Sequence, residues 1–316
     1  MIMHASGKAA AGTKKSTAKP SAPVPGAGPT HPYDPALAVQ LYTPKAKAAV
    51  RGVTPELVGT GGFPYTVNRL YPVPGTFRQF PYALVGQLFF TIPDVGDFVC
   101  SASVIRRAVI ATAGHCVSDG NGNFFTNWVF VPALSFGKAP YGKWNWNQVV
   151  VTNNWHFGGG GVPNIQDDAL IVLNNKTLKG VTGPIGDFVG FFGFEFNADP
   201  NTHITQLGYP CNLDGCSTPI ANSAQILAID TNNFEWGSAE AGGASGGPEV
   251  QDFGVAPVGT PHEIKGGNII ISVLSFGFVD PAIQVDGGSI FGRPRQFAGG
   301  TMGDLINFVC RTPGNC

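Results

Sequence analysis

The sequence predicts an all-β chain, built as a barrel or a sandwich, and three observations predict it. Glycine and proline are abundant, at 44 and 26 of 316 residues, while charged residues make up only 12 %. That composition favours strands and turns over helices. Downstream of residue 65, short runs rich in β-branched and aromatic residues recur, each closed by Gly, Asn, Asp or Pro. Only one segment, close to the C-terminus, carries convincing helical spacing.

Taken in order, residues 1–65 are rich in Ala, Lys and Pro and carry seven Lys or Arg against two Asp or Glu. With no sustained periodicity they read as a flexible basic leader, linker or pro-segment. The opening MIMHASGKAAAG lacks the apolar core of a secretory signal. The texture changes at FRQFPYALVGQLFFTI. Strand-type runs then follow as FVCSASVI, AVIATA, NWVFVPAL, QVVVTNNW, ALIVLN, THITQLGYP, AQILAI and NIIISVLSFGFV. Near the end, GDLINFVC places Leu305, Ile306 and Val309 on one side of a helix. GGGG at 158–161 reads as a loop, and KWNWNQ at 143–148 as strand aromatics packing on a core.

A net charge of -1 gives no reason to expect nucleic acid or an anionic membrane as partner, and no apolar run is long enough for a membrane-spanning helix. The six cysteines fall into three local pairs, Cys100 with Cys116, Cys211 with Cys216, and Cys310 with Cys316. None has zinc-site C-x-x-C spacing, so disulfides are expected rather than metal. That places the chain in an oxidising compartment, secreted or periplasmic.

GGASGGP at 242–248 surrounds Ser245 with glycines, as either a plain tight turn or a nucleophile needing nearby backbone N–H donors would require. A base and an orienting acid must then exist elsewhere. His115 ends the apolar run AVIATAGHC, beside Cys116. FVCSASVIRRAVIATAGHC reads as two strands joined around Arg106 and Arg107, returning Cys100 to Cys116. His4, His31, His203 and His262 read as histidines with local roles. For the acid, NIQDDALIVLN offers Asp167 and Asp168 before a buried-looking strand. Alternation sends them to opposite sides, one towards His115 and the other to solvent.

The order His115, Asp167, Ser245 resembles the chymotrypsin-fold, trypsin-like serine peptidases, leaning to their bacterial glutamyl-endopeptidase-like branch. TAGHC, DDAL and GASGGP resemble the three catalytic blocks, and SVLSFGF the strand bordering the primary specificity pocket. The resemblance spans roughly residues 66–316 and implies two six-stranded antiparallel β-barrels with a C-terminal helix. The N-terminal barrel would be 66–180 and the C-terminal barrel 181–316. It implies a serine endopeptidase acting on polypeptide substrates with no cofactor or metal; secretion is expected from the cysteine pairs, and the sequence leaves the oligomeric state open, a monomer being the default expectation. Ser245 would be the nucleophile, His115 the general base and Asp167 its orienting acid. Ser275 would support Asp167, and the N–H groups of Gly243 and Ser245 would form the oxyanion hole.

The sequence also departs from the family. Ala244 stands where most animal members carry an aspartate that receives a new N-terminal ammonium, so that activating ion pair is not expected. Ala239 occupies the position of the acid in trypsin-like pockets, which argues against a simple Arg or Lys pocket, although Glu240 is adjacent. Leu274 stands where glutamate-specific members place a histidine, so glutamate preference is not carried over. With Phe276 and Gly277 on the wall, an apolar or mixed preference is expected. Two rivals stand apart. GASGG also fits the nucleophile elbow of an α/β-hydrolase, which needs a later histidine than His262 and alternating helices. A catalytically silent relative serving as a binding or adhesion module would ordinarily lack one of the three residues.

Overall fold

The computed structural model describes residues 19–31, 63–71, 75–230, 232–255, 267–278, 280 and 283–316, with the backbone of 40–41. Strand β1 (Tyr65–Arg69) is followed by β2 (Val85–Ile92), β3 (Gly96–Arg106), β4 (Val109–Ala113), β5 (Thr126–Pro132), β6 (Trp144–Val151) and β7 (Asp168–Leu173). The last six close a barrel in the order β2-β3-β4-β7-β6-β5. The Arg106–Arg107 turn allows β3 to fold back on β4, pairing Ser103 with Ala111 and Val104 with Ile110. Leu88, Val104, Ile110, Phe130 and Leu170 are fully buried in its core. Each such side chain stabilises the fold by roughly 1.5–3 kcal/mol.

The second half contributes β8 (Gly193–Phe194), β9 (His203–Gly208), β10 (Ile220–Asp230), β11 (Asn233–Gly237), β12 (Pro248–Gln251), β13 (Ile269–Gly277) and β14 (Val285–Ile290). Six of these close a second antiparallel barrel, β13-β12-β9-β10-β11-β14, because β14 pairs back onto β13. Short β8 lies parallel to β13 outside the ring. Both expected barrels are therefore present.

Two segments cross the sequence boundaries expected above. Strand β1, assigned by position to the first barrel, pairs instead with β10 of the second, from Arg69 opposite Ile220 to Tyr65 opposite Ala224. Within the expected leader, residues 19–31 lie along the chain at 187–196. Val24 and Phe194 exchange two backbone hydrogen bonds, as do Ala27 and Phe191. This portion is strapped to the protein through its backbone while its residues stay exposed or half-buried; most of the remaining leader lies outside the described residues. Arg107 forms a two-pronged ion pair with Asp187, at 2.8 and 2.7 Å, joining the first barrel to the start of the second half.

The expected helix spans Met302–Val309 and begins with a capping box between Thr301 and Asp304. Met302, Leu305, Ile306 and Val309 are buried. All three cysteine pairs are bonded as the spacing suggested. Trp144 of the tryptophan pair is buried, whereas Trp146 is 40 % exposed, so only the first packs fully into the core.

Candidate active site

Strand β4 ends at Ala113, and a single helical turn over Gly114–Cys116 carries His115. The Cys100–Cys116 disulfide ties this turn back to β3. Gly114 is needed for its size. A Cβ there would lie 2.6 Å from Trp155 and 2.9 Å from Asp167 Oδ1. Trp155 packs edge-on to the imidazole at 5.8 Å. His115 is only 4 % exposed.

Asp167 immediately precedes β7, whose first residue, Asp168, pairs with Ala113. Its carboxylate accepts three hydrogen bonds. Oδ1 takes the His115 backbone N–H at 2.8 Å, and Oδ2 takes His115 Nδ1 at 2.7 Å and Ser275 Oγ at 2.7 Å. An ionised carboxylate only accepts, so the imidazole proton sits on Nδ1. Nε2 then presents a lone pair. It is buried and has no hydrogen-bond partner among the described residues.

Ser245 belongs to the second barrel, in the turn entering β12, and is partly exposed. Its carbonyl accepts the Ser101 N–H at 2.7 Å and lies 3.7 Å from Cys116 Sγ, next to His115 in sequence. The turn is also fastened to β13, since Gly246 N–H donates to Leu274 O and Leu274 N–H to Gly247 O, at 2.8 and 2.9 Å. Gly246, at φ +77°, lies against Thr112 and Ala113 so closely that no Cβ would fit. Gly243 has φ +103°, and a Cβ there would meet Tyr209 O at 2.5 Å. The Gly243 carbonyl is held inward by Ser101 Oγ at 2.8 Å. Among the described residues, the N–H groups of Gly243 and Ser245 donate to no protein acceptor. Ala244 is buried, and its N–H closes a turn onto Ala241 O.

The pocket residues chosen from sequence divide. Leu274, Phe276 and Gly277 continue the strand from which Ser275 reaches Asp167. Ala239 and Glu240 are both buried. Glu240 packs behind the serine turn, its Oε2 2.9 Å from where a Cβ of Gly208 would sit, in a space that Ala244 also borders.

One expectation is overturned. Asp168 does leave the opposite side of the strand from Asp167, but it reaches no solvent and is 0 % exposed. Both faces of β7 are covered at this point, because the second barrel packs over its start. Burial first, and the Asp167 charge second, push the Asp168 carboxyl well above the ordinary range, with the Ser289 hydroxyl offsetting part of this.

Some supporting residues were missed. Ser101 links Tyr209 N–H to Gly243 O at 2.8 Å on each side, and Gln166 reaches both Ile290 O and Met302 N–H. Buried His156, bonded to Ser118 Oγ at 2.7 Å and stacked on Phe124, was not singled out. No short-range pattern marks any of them. His4 and His262 lie outside the described residues. One group among the described residues gathers three ligand-type atoms closely, Cys100, His115 and Cys116, but its two sulfurs are bonded to each other and offer no thiolate.

No protein-family model matches the chain. Across 152 residues it is 27 % identical to a glutamyl endopeptidase of Bacillus licheniformis, covering 47 % of this chain and 44 % of that protein. The chain thus spans less than half the length of that relative. Among solved structures, the protease Anisep of Arthrobacter nicotinovorans is 28 % identical, with a TM-score of 0.55 over 67 % of this chain and 91 % of its own. A thermostable serine protease, AL20, from an extremophilic microorganism is 27 % identical, with a TM-score of 0.54 over 66 % and 92 %. A Glu endopeptidase at 19 % identity shares the fold, with a TM-score of 0.54 over 78 % and 97 %. The chain has the chymotrypsin-like two-barrel fold and is similar to serine proteases.

Proposed function

We propose that the protein is a secreted serine endopeptidase working through His115, Asp167 and Ser245. The observation that carries this reading is the buried His115–Asp167 pair, which leaves Nε2 with a lone pair and no hydrogen-bond partner among the described residues. The similarity to serine proteases and the three disulfides, which suit an oxidising compartment, support it.

In the first half-reaction Ser245 Oγ bonds to the scissile carbonyl carbon while its proton passes to His115 Nε2. Asp167 keeps the Nδ1–H in place and stabilises the imidazolium. The N–H groups of Gly243 and Ser245 meet the oxyanion, a contribution worth on the order of 10²–10³ in turnover per donor. As the C–N bond breaks, Nε2 returns its proton to the departing amine. Water, deprotonated by the same nitrogen, then cleaves the acyl-enzyme. A polypeptide substrate would lie between the barrels, along the β13 edge after Ser275. Ala244 excludes activation by an ammonium–aspartate pair at that position.

Incubation with unfolded casein, followed by mass spectrometry of new N-termini, tests the assignment. Wild type should generate discrete cleavage sites, and Ser245→Ala should lose activity by on the order of 10⁶. Undiminished cleavage by that variant would refute it, and a wild type that cleaves nothing would favour a binding module.

A further inference from the structure

The loop that follows β9, residues 209–217, is closed by the Cys211–Cys216 disulfide and lies against the turn that carries Ser245. Its contact there is with the backbone. Cys211 N–H donates to Gly242 O at 2.8 Å. A trans peptide unit is planar, with its C=O and N–H pointing in opposite directions, so this bond also aims the other end of the same unit. That other end is the Gly243 N–H, which donates to no acceptor among the described residues.

Further contacts hold the unit in this orientation. Ser101 Oγ donates to Gly243 O from one side. On the other, Tyr209 O and Cys211 Sγ fill the space where a Gly243 side chain would stand, at 2.5 and 2.7 Å from an ideal Cβ. The loop itself is not relaxed. Asp214, Gly215 and Cys216 have φ of +50°, +59° and +58°, and two of the three carry side chains. Such residues disfavour the left-handed region, so the turn persists only where its surroundings impose it. Besides the disulfide, Gln87 Nε2 holds Cys216 O at 3.1 Å and Asn212 Nδ2 holds Ala239 O at 2.8 Å. The Arg69–Asp214 ion pair adds little, since its arginine side chain is 60 % exposed.

We propose that the Cys211–Cys216 disulfide positions the oxyanion hole, holding Cys211 N–H on Gly242 O and thereby Gly243 N–H towards the oxyanion, so that opening this bond slows the chemical step and leaves substrate binding intact. This rests on the endopeptidase reading above. The bond is open to exchange. Cys211 is half-buried, whereas Cys100 and Cys116, beside His115, are 3 % and 0 % exposed. A dithiol reductant supplies the two electrons: one thiolate attacks a sulfur of the pair, the S–S bond breaks to a mixed disulfide, and the second thiol closes the reductant's own disulfide. Cys211 and Cys216 are left as thiols. The strained turn then relaxes, Cys211 N–H leaves Gly242 O, and the Gly242–Gly243 unit is free to rotate its donor away. A donor that acts on the oxyanion is missed in the transition state and not in the bound substrate.

The test compares the full-length wild type with Cys211→Ser/Cys216→Ser, and with Cys310→Ser/Cys316→Ser as control, on one fluorogenic peptide that the wild type cleaves, reading kcat and KM separately. The loop variant should lose kcat roughly 10²-fold, with KM within about threefold and an unchanged circular dichroism spectrum. The control should keep both constants within about threefold. Undiminished kcat in the folded loop variant, a rise in KM in place of the fall in kcat, or an equal loss in the control would each overturn the inference alone. If the loop variant fails to fold, graded dithiothreitol treatment of the folded wild type decides. Turnover should fall in step with iodoacetamide capture of Cys211 and Cys216, and full turnover after their capture would overturn the inference. A wild type that neither cleaves nor takes up fluorophosphonate would sink the endopeptidase reading itself.

Discussion

Replacing Asp167 by asparagine keeps the shape of the site and changes only what it can accept. The carboxylate receives His115 N–H on Oδ1, and His115 Nδ1 and Ser275 Oγ on Oδ2. An amide has one accepting oxygen and one donating nitrogen. With its NH₂ towards Nδ1, the imidazole must carry its proton on Nε2 and cannot act as base. With its NH₂ towards the backbone N–H, two donors collide in a fully buried space. A hydrogen bond to a charged acceptor contributes about 1.5–3 kcal/mol, or roughly 10- to 150-fold. The misplaced proton adds the rest, for a total on the order of 10⁴, equivalent to about 5.4 kcal/mol. The assay is kcat/KM on a fluorogenic peptide at pH 7.5, with the rate of fluorophosphonate labelling as an independent readout of the Ser245–His115 pair. A variant within tenfold of wild type by both measures would refute the role given to Asp167.

Other perturbations have separate readouts. Ser275→Ala removes one of the three donors to Asp167 and should lower kcat/KM by roughly 10- to 100-fold at unchanged melting temperature; a loss under threefold would exclude the support role. Gly246→Ala forces a Cβ into Thr112 and Ala113 at a positive φ, and should destabilise the fold by at least about 1–3 kcal/mol in urea titration. An unchanged midpoint would contradict the close approach of turn and barrel. Asp168→Asn should impair catalysis far less than Asp167→Asn, and its effect on stability should depend on pH. The folded state holds the Asp168 proton more tightly than the unfolded chain, so stability is undiminished below about pH 3.9 and falls as pH rises through the higher folded value. The variant should therefore gain on wild type as pH is raised above about 3.9 towards the folded-state titration, by about 1.4 kcal/mol for each pH unit separating the two titrations. A constant difference across that range would show that Asp168 does not titrate with folding.

Much of this architecture is written locally in the chain. The β3–β4 hairpin announces itself through two apolar runs around Arg106 and Arg107, and the C-terminal helix through the spacing of Leu305, Ile306 and Val309. His115 and the turn at Ser245 are legible because a histidine closing an apolar strand and a serine among glycines are locally unusual. What escapes is set by distant pairing. Alternation correctly separates Asp167 from Asp168, but nothing nearby reveals that the second barrel covers the outer face of β7. Residues 19–31 have no periodicity because their partners are backbone groups at 187–196, which any side chain permits. Asp286 reaches Gly277 only through the β13–β14 register, and Ser101 meets Gly243 across 142 residues of sequence.

The central claim is that Ser245 is a nucleophile activated by His115. Intact-mass measurement after fluorophosphonate treatment, followed by peptide mapping, tests it most directly. The account predicts one adduct per chain, located on Ser245, absent from Ser245→Ala and strongly slowed in His115→Ala. An unlabelled wild type, or an adduct that persists in Ser245→Ala, would contradict it.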